Sequence, residues 1–314
     1  MWISDLIKVP GKQRSASITS LLVMLLCLPL LSNARSLDDV RASGVVSVAV
    51  YRDFPPYSWE DNGVAKGVDV EVARAIAKAL NVQLQLHWMI PDENLDDDLR
   101  NHVWKGHYLA RIEEGSMLKL DVADVMLRVP YDREFAFKVD QDGRVINDLV
   151  HFFAPYQKES WVLAVDSVKV PTIENLALFQ YEKAGVQIDT LPDFYLSGAF
   201  RGILRNNIVH FTTNQDAMKA MAKGEVAGVM GTKSQVLWGI TRLAKPEQYR
   251  LADVPFPNLV TPSWEIGMAV KDDARDLAYA AEDAVTEMVQ SGRMAEVFQQ
   301  YGAVYTPSSL FESK

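Results

Sequence analysis

Between residues 46 and 80 the spacing of the hydrophobic positions changes from every second residue to every third or fourth residue. Val46, Val48 and Val50 alternate with small residues, which is typical of a β-strand. From Gly67 onward, apolar side chains return every three or four positions with charged residues between them. That spacing predicts an amphipathic helix. The stretch therefore predicts a strand, a connecting loop and a helix, in that order.

The connecting loop carries aromatic side chains beside a pair of prolines. Pro55 and Pro56 cannot extend the strand, because proline has no backbone N–H to donate. Phe54, Tyr57 and Trp59 therefore lie where a strand's carboxyl end meets a helix, a position at which ligand crevices form. Two interpretations fit these aromatics equally well: they line a ligand crevice, or they pack a buried loop.

Alternating strands and helices continue along the rest of the chain. The pattern predicts further strands at residues 82–88, 123–129, 149–154, 161–165, 185–188, 209–212, 226–230 and 264–270. It predicts further helices at residues 99–109, 173–179, 194–204, 215–222, 236–243, 277–292 and 294–301. Repeated alternation indicates an α/β protein with open sheets and helices on both faces. The charge-rich stretches 92–100 and 138–148 are expected to be solvated surface insertions.

The first residues have the composition of an export signal. A basic region that includes Lys8 and Arg14 precedes an apolar run, 18–31, which is too short to span a membrane comfortably. Small residues follow, so we expect residues 1–34 to be a signal peptide that is cleaved near Ala34. The mature protein is then periplasmic, without membrane insertion. The alternative is an uncleaved N-terminal anchor.

Removing that segment limits the chemistry of the mature protein. Cys27 is the only cysteine, so no thiol remains for disulfides, nucleophilic catalysis or thiolate metal sites. The formal net charge of −9 becomes −11, because three basic groups and one acidic group are removed. An acidic chain argues against nucleic acid as a partner. His102 and His107 are five positions apart, so they do not lie on one face of a helix, and their spacing does not indicate a metal site. We expect no metal and no cofactor.

Several motifs occur in an order known from one protein family. The matching segments are Phe54–Tyr57, Gly67–Glu71, Asp124–Met126, Phe152–Tyr156, Ala220–Gly228, Glu265–Lys271 and Gly292–Gly302. In these motifs the mature chain resembles the bacterial extracellular solute-binding proteins of family 3, the amino-acid-binding type. The resemblance implies a two-lobed type II periplasmic-binding-protein fold, in which each lobe is an open mixed sheet flanked by helices and a ligand-binding cleft lies between the lobes.

The same resemblance implies where the lobes begin and end. Lobe one is expected to comprise residues 37–154 plus 255–314, and lobe two residues 156–250. Closure of such lobes is a hinge motion that the ligand stabilises through its better contacts in the closed state.

The residues that bind an amino acid in this family are altered here. The resemblance implies an arginine in a T-P-x-R motif for the ligand's carboxylate and an aspartate for its ammonium group. This chain lacks T-P-x-R, and Thr232 stands at the aspartate position. An ammonium group taken out of water without a carboxylate partner is strongly disfavoured. Standard amino acids are therefore poor candidate ligands.

Six residues remain as candidate ligand contacts: Phe54, Tyr57, Arg128, Arg133, Thr190 and Thr232. The resemblance places the two aromatics in the loop that faces the cleft. The arginines can bind an anion through paired N–H groups, although Arg133 can equally form a surface ion pair with Asp132. Thr190 precedes a helix whose N-terminal N–H groups can receive an anion, or it is an ordinary N-cap.

One shorter motif resembles a particular subgroup. Asp124-Val125-Met126 with Val129-Pro130, preceded by Arg100-Asn101, is similar to the solute-binding-like proteins encoded with PQQ-dependent (quinoprotein) alcohol dehydrogenases. That likeness implies a non-catalytic accessory of such a dehydrogenase. The alternative is a substrate-binding receptor that delivers a small solute other than a standard amino acid to an ABC permease.

An enzyme on this fold ranks last, because only Asp132 is a candidate acid or base in the cleft. The Trp104–Tyr108 segment fits a partner surface, a cleft wall or plain packing.

Overall fold

The computed structural model describes residues 35–107 and 122–312 of the 314-residue chain. The expected signal peptide lies outside the described residues, as do the end of the helix expected at 99–109 and Tyr108 of the Trp104–Tyr108 segment. Within the described ranges, no helix combines the length and the apolar character needed to cross a membrane.

The first part of the chain alternates short strands with helices. In order, its elements are α1 (Leu37–Ser43), β1 (Val45–Tyr51), β2 (Trp59–Asp61), β3 (Val64–Lys66), α2 (Val68–Leu80), β4 (Gln83–Met89), α3 (Leu95–Leu99), a π-helical turn (Arg100–Trp104), β5 (Val125–Pro130) and α4 (Arg133–Ala136). The strand, loop and helix predicted between residues 46 and 80 are present as β1, the aromatic loop and α2.

The remaining chain begins with one long strand. Its elements are β6 (Val150–Asp166), a 3₁₀ turn (Leu176–Gln180), β7 (Ala184–Gln187), α5 (Leu191–Gly202), a 3₁₀ turn (Arg205–Asn207), β8 (Ile208–Phe211), α6 (Asn214–Ala222), β9 (Gly228–Thr232), α7 (Lys233–Ile240), a 3₁₀ turn (Pro246–Gln248), β10 (Tyr249–Leu251), β11 (Ser263–Lys271), α8 (Arg275–Gln290), α9 (Arg293–Gln300) and a 3₁₀ turn (Ser309–Phe311).

The main sheet is mixed, and one strand joins its two halves. Its order is β4-β1-β5-β11-β6-β9-β7-β8, with β10 also paired to β6. Residues 150–160 of β6 pair with β11, whereas residues 161–166 pair with β9 and β10. We call the half built on β1, β4, β5 and β11 the first lobe and the half built on β7 to β10 the second lobe. The chain crosses between them through β6 and returns after β10.

The continuity of β6 corrects the prediction of two separate strands around Pro155-Tyr156. Ile266 of β11 pairs with Gln157, and Met268 pairs with Phe153, so β6 carries extra residues opposite Gly267. Proline is tolerated in a sheet at such a bulge, because the ladder there needs no N–H from it. Pro155 therefore interrupts the pairing without ending the strand.

Each lobe has its own hydrophobic core. Val48, Ile76 and Leu277 are fully buried between the first-lobe sheet and its helices. Phe179 and Leu196 belong to a separate cluster in the second lobe. Complete burial of one such side chain contributes about 1.5–3 kcal/mol. Separate cores allow each lobe to hold its shape while β6 and the returning chain connect them.

Candidate functional site

The aromatic loop is fixed to the start of α2 through a glycine. A Cβ atom on Gly67 would lie 2.1 Å from the Tyr57 carbonyl oxygen, and the Gly67 φ of +121° is one that other residues rarely adopt. Two N–H groups at the start of α2 donate into the loop. Val68 N–H reaches Pro56 O at 3.0 Å, and Asp69 N–H reaches Tyr57 O at 2.8 Å. The helix N-terminus therefore sets the position of Tyr57.

The aromatic side chains of the loop stack on each other. The Phe54 and Tyr57 ring centroids are 5.3 Å apart with nearly parallel planes, and Tyr51 meets Phe54 edge-on at 5.9 Å. Tyr57 is 1% exposed, whereas Phe54 is half-buried. The loop thus presents a layered aromatic wall whose inner member is fully enclosed.

Arg128 occupies a bulge in β5 that turns its side chain toward α2. Gly267 of β11 pairs with Val129 and Met268 pairs with Leu127, so Arg128 is the extra residue between them. Its φ is +63°, a left-handed conformation that costs a non-glycine residue about 1–3 kcal/mol. Bulges of this kind re-aim a side chain beside functional sites.

The Arg128 guanidinium is hydrogen-bonded to two buried side chains of the protein, Asp69 and Gln157. Its Nε donates to Asp69 Oδ2 at 2.9 Å and its Nη2 to Asp69 Oδ1 at 3.2 Å, and Nη2 also donates to Gln157 Oε1 at 2.9 Å. The guanidinium carbon lies 3.1 Å from the centre of the Tyr57 ring. Burial lowers the pKa of Arg128, but the charge and hydrogen bond of Asp69, together with the neighbouring Tyr57 and Tyr156, outweigh burial and raise that pKa above its ordinary value.

Glu159 of the crossover strand β6 adds a second carboxylate beside Tyr57, and Ser234 approaches from the second lobe. The Tyr57 hydroxyl donates to Glu159 Oε2 and accepts from Gln157 Nε2 at 3.5 Å, and the Ser234 side chain of α7 lies beside it. Glu159 also accepts from Gln157 Nε2 at 3.4 Å, and it forms no ion pair within residues 35–107 and 122–312. Burial, followed by the Glu159 charge, raises the pKa of Tyr57 well above its usual range.

These buried side chains form one group, hydrogen-bonded among themselves except for the adjacent Ser234, which we call the interlobe network. Its members are Tyr57, Asp69, Arg128, Gln157, Glu159 and Ser234. If both acids are ionised, the group holds two negative charges and one positive charge. One carboxylate, that of Glu159, is therefore without a cation.

The second lobe contributes two helix N-termini at the ends of parallel strands. Thr190 precedes α5, and its hydroxyl donates to Gln187 O at 2.6 Å. Thr232 caps α7 by accepting from the Gln235 N–H at 3.4 Å, and it donates to Gln235 Oε1 at 3.0 Å. Because β7 and β9 are parallel neighbours, both threonines lie at the same edge of the sheet.

Four buried polar atoms in this region have no hydrogen-bond partner among the described residues. Two are the Tyr156 hydroxyl on β6 and Trp238 Nε1 on α7. The other two are Trp161 Nε1, on the part of β6 that pairs with Thr232, and Asn214 Oδ1, at the start of α6. A Cβ on Gly231 would lie 2.2 Å from Asn214 Nδ2, so this glycine lets the asparagine approach the strand. An unpaired donor and an unpaired acceptor are features that a bound polar molecule can satisfy.

The two lobes touch each other directly around the interlobe network. Gln215 Nε2 of α6 donates to Pro55 O at 3.4 Å, and Lys233 Nζ of α7 donates to Thr306 Oγ1 at 3.3 Å. The Trp59 and Trp238 rings meet edge-on at 6.0 Å. The molecule is therefore in a closed arrangement in which the aromatic loop faces the second lobe.

The residues predicted from the sequence do not all lie together. Phe54, Tyr57 and Arg128 are adjacent in the first lobe, and Thr190 and Thr232 lie across from them in the second. Arg133 is exposed in the first turn of α4 and lines a cavity of about 660 Å³ whose wall includes none of the other five.

Sequence reasoning missed four members of the interlobe network. Asp69 lies within the Gly67–Glu71 motif, which gives it no role of its own, and nothing in the sequence singles out Ser234. Gln157 and Glu159 share one face of β6 with Trp161, so their alternate spacing was a usable signal.

Comparison with known proteins gives a match in sequence to one part of the chain. Residues 46–103 match the family model of bacterial extracellular solute-binding proteins, family 3. No curated protein matches the sequence. An ancestral cationic amino acid solute-binding protein has a similar structure, with a TM-score of 0.63 at 17% identity over 85% of this chain and 99% of that chain.

Two further solved structures share the fold at low identity. An amino acid ABC transporter substrate-binding protein of Streptococcus pneumoniae, bound to L-arginine, has a TM-score of 0.55 at 19% identity, over 84% of this chain and 97% of that one. A histidine kinase sensor domain with similarity to periplasmic binding proteins has a TM-score of 0.51 at 16% identity, over 83% and 98%. The chain therefore has the type II periplasmic-binding-protein fold expected from its motifs.

Proposed function

We propose that this chain is a non-catalytic periplasmic receptor for a small solute that carries an amine and lacks a carboxylate. The observation that carries this proposal is the pairing of charges in the interlobe network. Arg128, the cation expected to bind a carboxylate, is already bonded to Asp69 and Gln157. Glu159 is the buried carboxylate without a cation. A permease would then receive the solute from the closed receptor.

A carboxylate ligand is disfavoured because it would have to compete for Arg128. Taking Arg128 away from Asp69 leaves a buried carboxylate uncompensated, which costs about 3–5 kcal/mol. The incoming carboxylate would also lie near the negative charges of Asp69 and Glu159, which repel it. The solved relatives that bind amino acids therefore support the fold of this receptor and not its ligand.

An amine is favoured because, among the described residues, Glu159 is a carboxylate of the network without a cation and Asn214 Oδ1 is an acceptor without a donor. An ammonium group has three donors, and Glu159 and Asn214 Oδ1 both accept hydrogen bonds. Trp161 Nε1 is a donor that suits a hydroxyl or carbonyl oxygen of the same solute. Phe54 and Tyr57 would contact its apolar part, and Thr190 and Thr232 would bind it from the second lobe. In this proposal Arg128 positions Tyr57 and Asp69, and Arg133 takes no part.

Thermal unfolding with matched pairs of small molecules tests the proposal. Each pair consists of an amino acid and its decarboxylated amine, such as L-arginine and agmatine or L-ornithine and putrescine. At a hundred times Kd, a ligand stabilises the folded state by about 2.7 kcal/mol. For a chain of this size that is a rise in Tm of roughly 5–10 °C. We expect at least one amine to produce this shift and its parent amino acid to produce none.

Two variants assign the shift to Glu159. Glu159→Gln keeps the shape and the hydrogen bond from Tyr57 but removes the charge, so it should abolish the amine-dependent shift. Glu225→Gln is the control, because Glu225 lies on the surface in a pair with Lys223 that is 4.0 Å long. A shift given by amino acids and not by amines would overturn the proposal, as would a shift that Glu159→Gln leaves intact.

A second candidate function, an accessory of a quinoprotein alcohol dehydrogenase, is favoured by the direct bonds between the lobes. Gln215 of α6 bonds to Pro55 O and Lys233 of α7 bonds to Thr306, so the two lobes present one continuous surface to which a protein partner can bind. Affinity purification from periplasm separates the candidates. Recovery of a PQQ-dependent dehydrogenase, together with no amine-dependent shift, would favour the accessory. An amine-dependent shift without such recovery would favour the receptor.

A further inference from the structure

A group of side chains with metal-binding atoms lies outside the interlobe network, at the carboxyl end of β4. Asp92, Asp98 and His102 each bring one ligand atom to within 4.8 Å of the other two. Atoms that bind a zinc ion at about 2.1 Å stand roughly 3.4 Å apart in a tetrahedral site. A contraction of at most about 1.4 Å would therefore bring these three atoms to bonding distance. The cluster lies in a stretch expected from sequence to be a solvated insertion, yet Asp98 is 4% exposed.

The backbone brings these residues together where α3 continues directly into the π-helical turn. Asp98 belongs to α3, and His102 follows four positions later in the π-helical turn. Residues four apart on a helix share a face. Turns of the π type occur frequently at functional sites, because the extra residue shifts side chains out of the regular register. Asp92 reaches the same place from the loop after β4.

Both carboxylates are oriented by hydrogen bonds to their remaining lone pairs. Asp98 Oδ2 accepts from the Tyr51 hydroxyl at 2.7 Å, and Asp98 Oδ1 accepts from the Asp92 N–H at 2.7 Å. Asp92 Oδ2 accepts from Asn101 Nδ2 at 2.8 Å. Carboxylates that bind metals are typically held by such outer contacts.

The His102 imidazole is held by a second histidine. His102 Nδ1 lies 3.0 Å from His87 Nε2, so the rings share a hydrogen bond. A metal-binding imidazole usually has its second nitrogen held by a partner. An ion at this position would also offset the repulsion between Asp92 and the buried Asp98.

We propose that Asp92, Asp98 and His102 bind a divalent transition-metal ion, with His87 as the outer partner that orients His102. Imidazole together with carboxylates suits zinc and manganese, and the single imidazole argues against a calcium site. The bound ion would fix the Asp92 loop and the π turn to the edge of the first lobe. Tyr51 connects this edge to the aromatic wall, because its hydroxyl binds Asp98 and its ring contacts Phe54.

Direct metal titration tests this proposal. The mature protein is stripped with EDTA, dialysed, and titrated with Zn²⁺ in competition with a chromophoric chelator. We expect one tight equivalent. Asp98→Asn and His102→Gln should each weaken binding by about 100-fold or more, and His87→Ala by about 10–100-fold. His210→Ala is the matched control, because His210 lies 3.0 Å from Asp193 in the second lobe and should leave Zn²⁺ binding unchanged.

Three outcomes would overturn the proposal: no tight equivalent of Zn²⁺, affinity that Asp98→Asn and His102→Gln leave unaltered, or a preference for Ca²⁺ over both Zn²⁺ and Mn²⁺. Circular dichroism of each variant shows whether it is folded, and Asp98→Asn keeps the shape of the side chain if His102→Gln unfolds. Glu159→Gln should have no effect on Zn²⁺ binding. Failure of the metal site is therefore distinguishable from failure of the proposed receptor function.

Discussion

Replacing Arg128 with methionine removes the cation of the interlobe network while keeping a long side chain at the bulge. The left-handed backbone conformation stays occupied by a non-glycine residue, so its strain is the same before and after the change. The change leaves the Asp69 carboxylate without its cation. Both side chains of the pair are buried, with 7% and 1% exposure, so water cannot replace the lost guanidinium.

The expected loss of stability follows from that burial. Removing one partner of a buried ion pair costs about 3–5 kcal/mol, whereas an exposed pair is worth about 0–1 kcal/mol. The variant Arg128→Met should therefore unfold at a Tm lower by roughly 6–20 °C. Adding Asp69→Asn removes the orphaned charge, so the double variant should be less destabilised than the sum of the two single changes.

Urea unfolding followed by tryptophan fluorescence measures these free energies. The control is Arg293→Met, because Arg293 pairs with Glu296 at 3.1 Å on the surface of α9, and it should cost less than about 1 kcal/mol. The reasoning is refuted if Arg128→Met is as mild as this control. It is also refuted if the effects of Arg128→Met and Asp69→Asn simply add.

Three further variants test other parts of the account. Gly67→Ala should destabilise the protein by about 3 kcal/mol or more in urea unfolding, because the new Cβ meets the Tyr57 carbonyl at 2.1 Å and the φ is unfavourable; a loss below 1 kcal/mol would contradict this. Tyr57→Phe should cost about 1–3 kcal/mol by the same measurement, because Glu159 loses its hydroxyl donor, and a neutral effect would count against the network. Burial raises the pKa of Asp98 above 3.8, so the metal-free protein loses stability as pH rises through that raised pKa. The Tm of Asp98→Asn should therefore exceed that of the wild type at neutral pH, with an advantage that disappears toward pH 3.8 and below; an equal advantage at all pH values would argue against this cause.

Much of the fold was readable from local patterns. The alternation in β1, β4 and β11 and the helical spacing of α2, α6 and α8 predicted those elements, because each buries one face against a core. β6 was predicted as two strands, because the tolerance of Pro155 depends on a bulge opposite Gly267. The pairing of β6 with β11 decides whether Pro155 ends the strand, and the sequence of β6 alone does not show that pairing.

The candidate site was predictable only in part for the same reason. The aromatic loop followed from Phe54 and Tyr57, but the partner of Arg128 did not. Its side chain turns toward Asp69 because β5 bulges against β11, which is a matter of register. For the proposed metal site, the spacing of His102 and His107 carries no signal, whereas Asp98 and His102 are four positions apart and share one helical face.

Calorimetric titration of the wild-type protein with agmatine and with L-arginine tests the central claim most directly, because the two molecules differ by one carboxylate. The account holds that Arg128 is paired with Asp69 and that Glu159 has no cation among the described residues. Agmatine should then bind at one saturable site, and L-arginine should bind at least about 100-fold more weakly, a difference of about 2.7 kcal/mol. Tighter binding of L-arginine would show that the cleft accepts a carboxylate, and it would contradict the account.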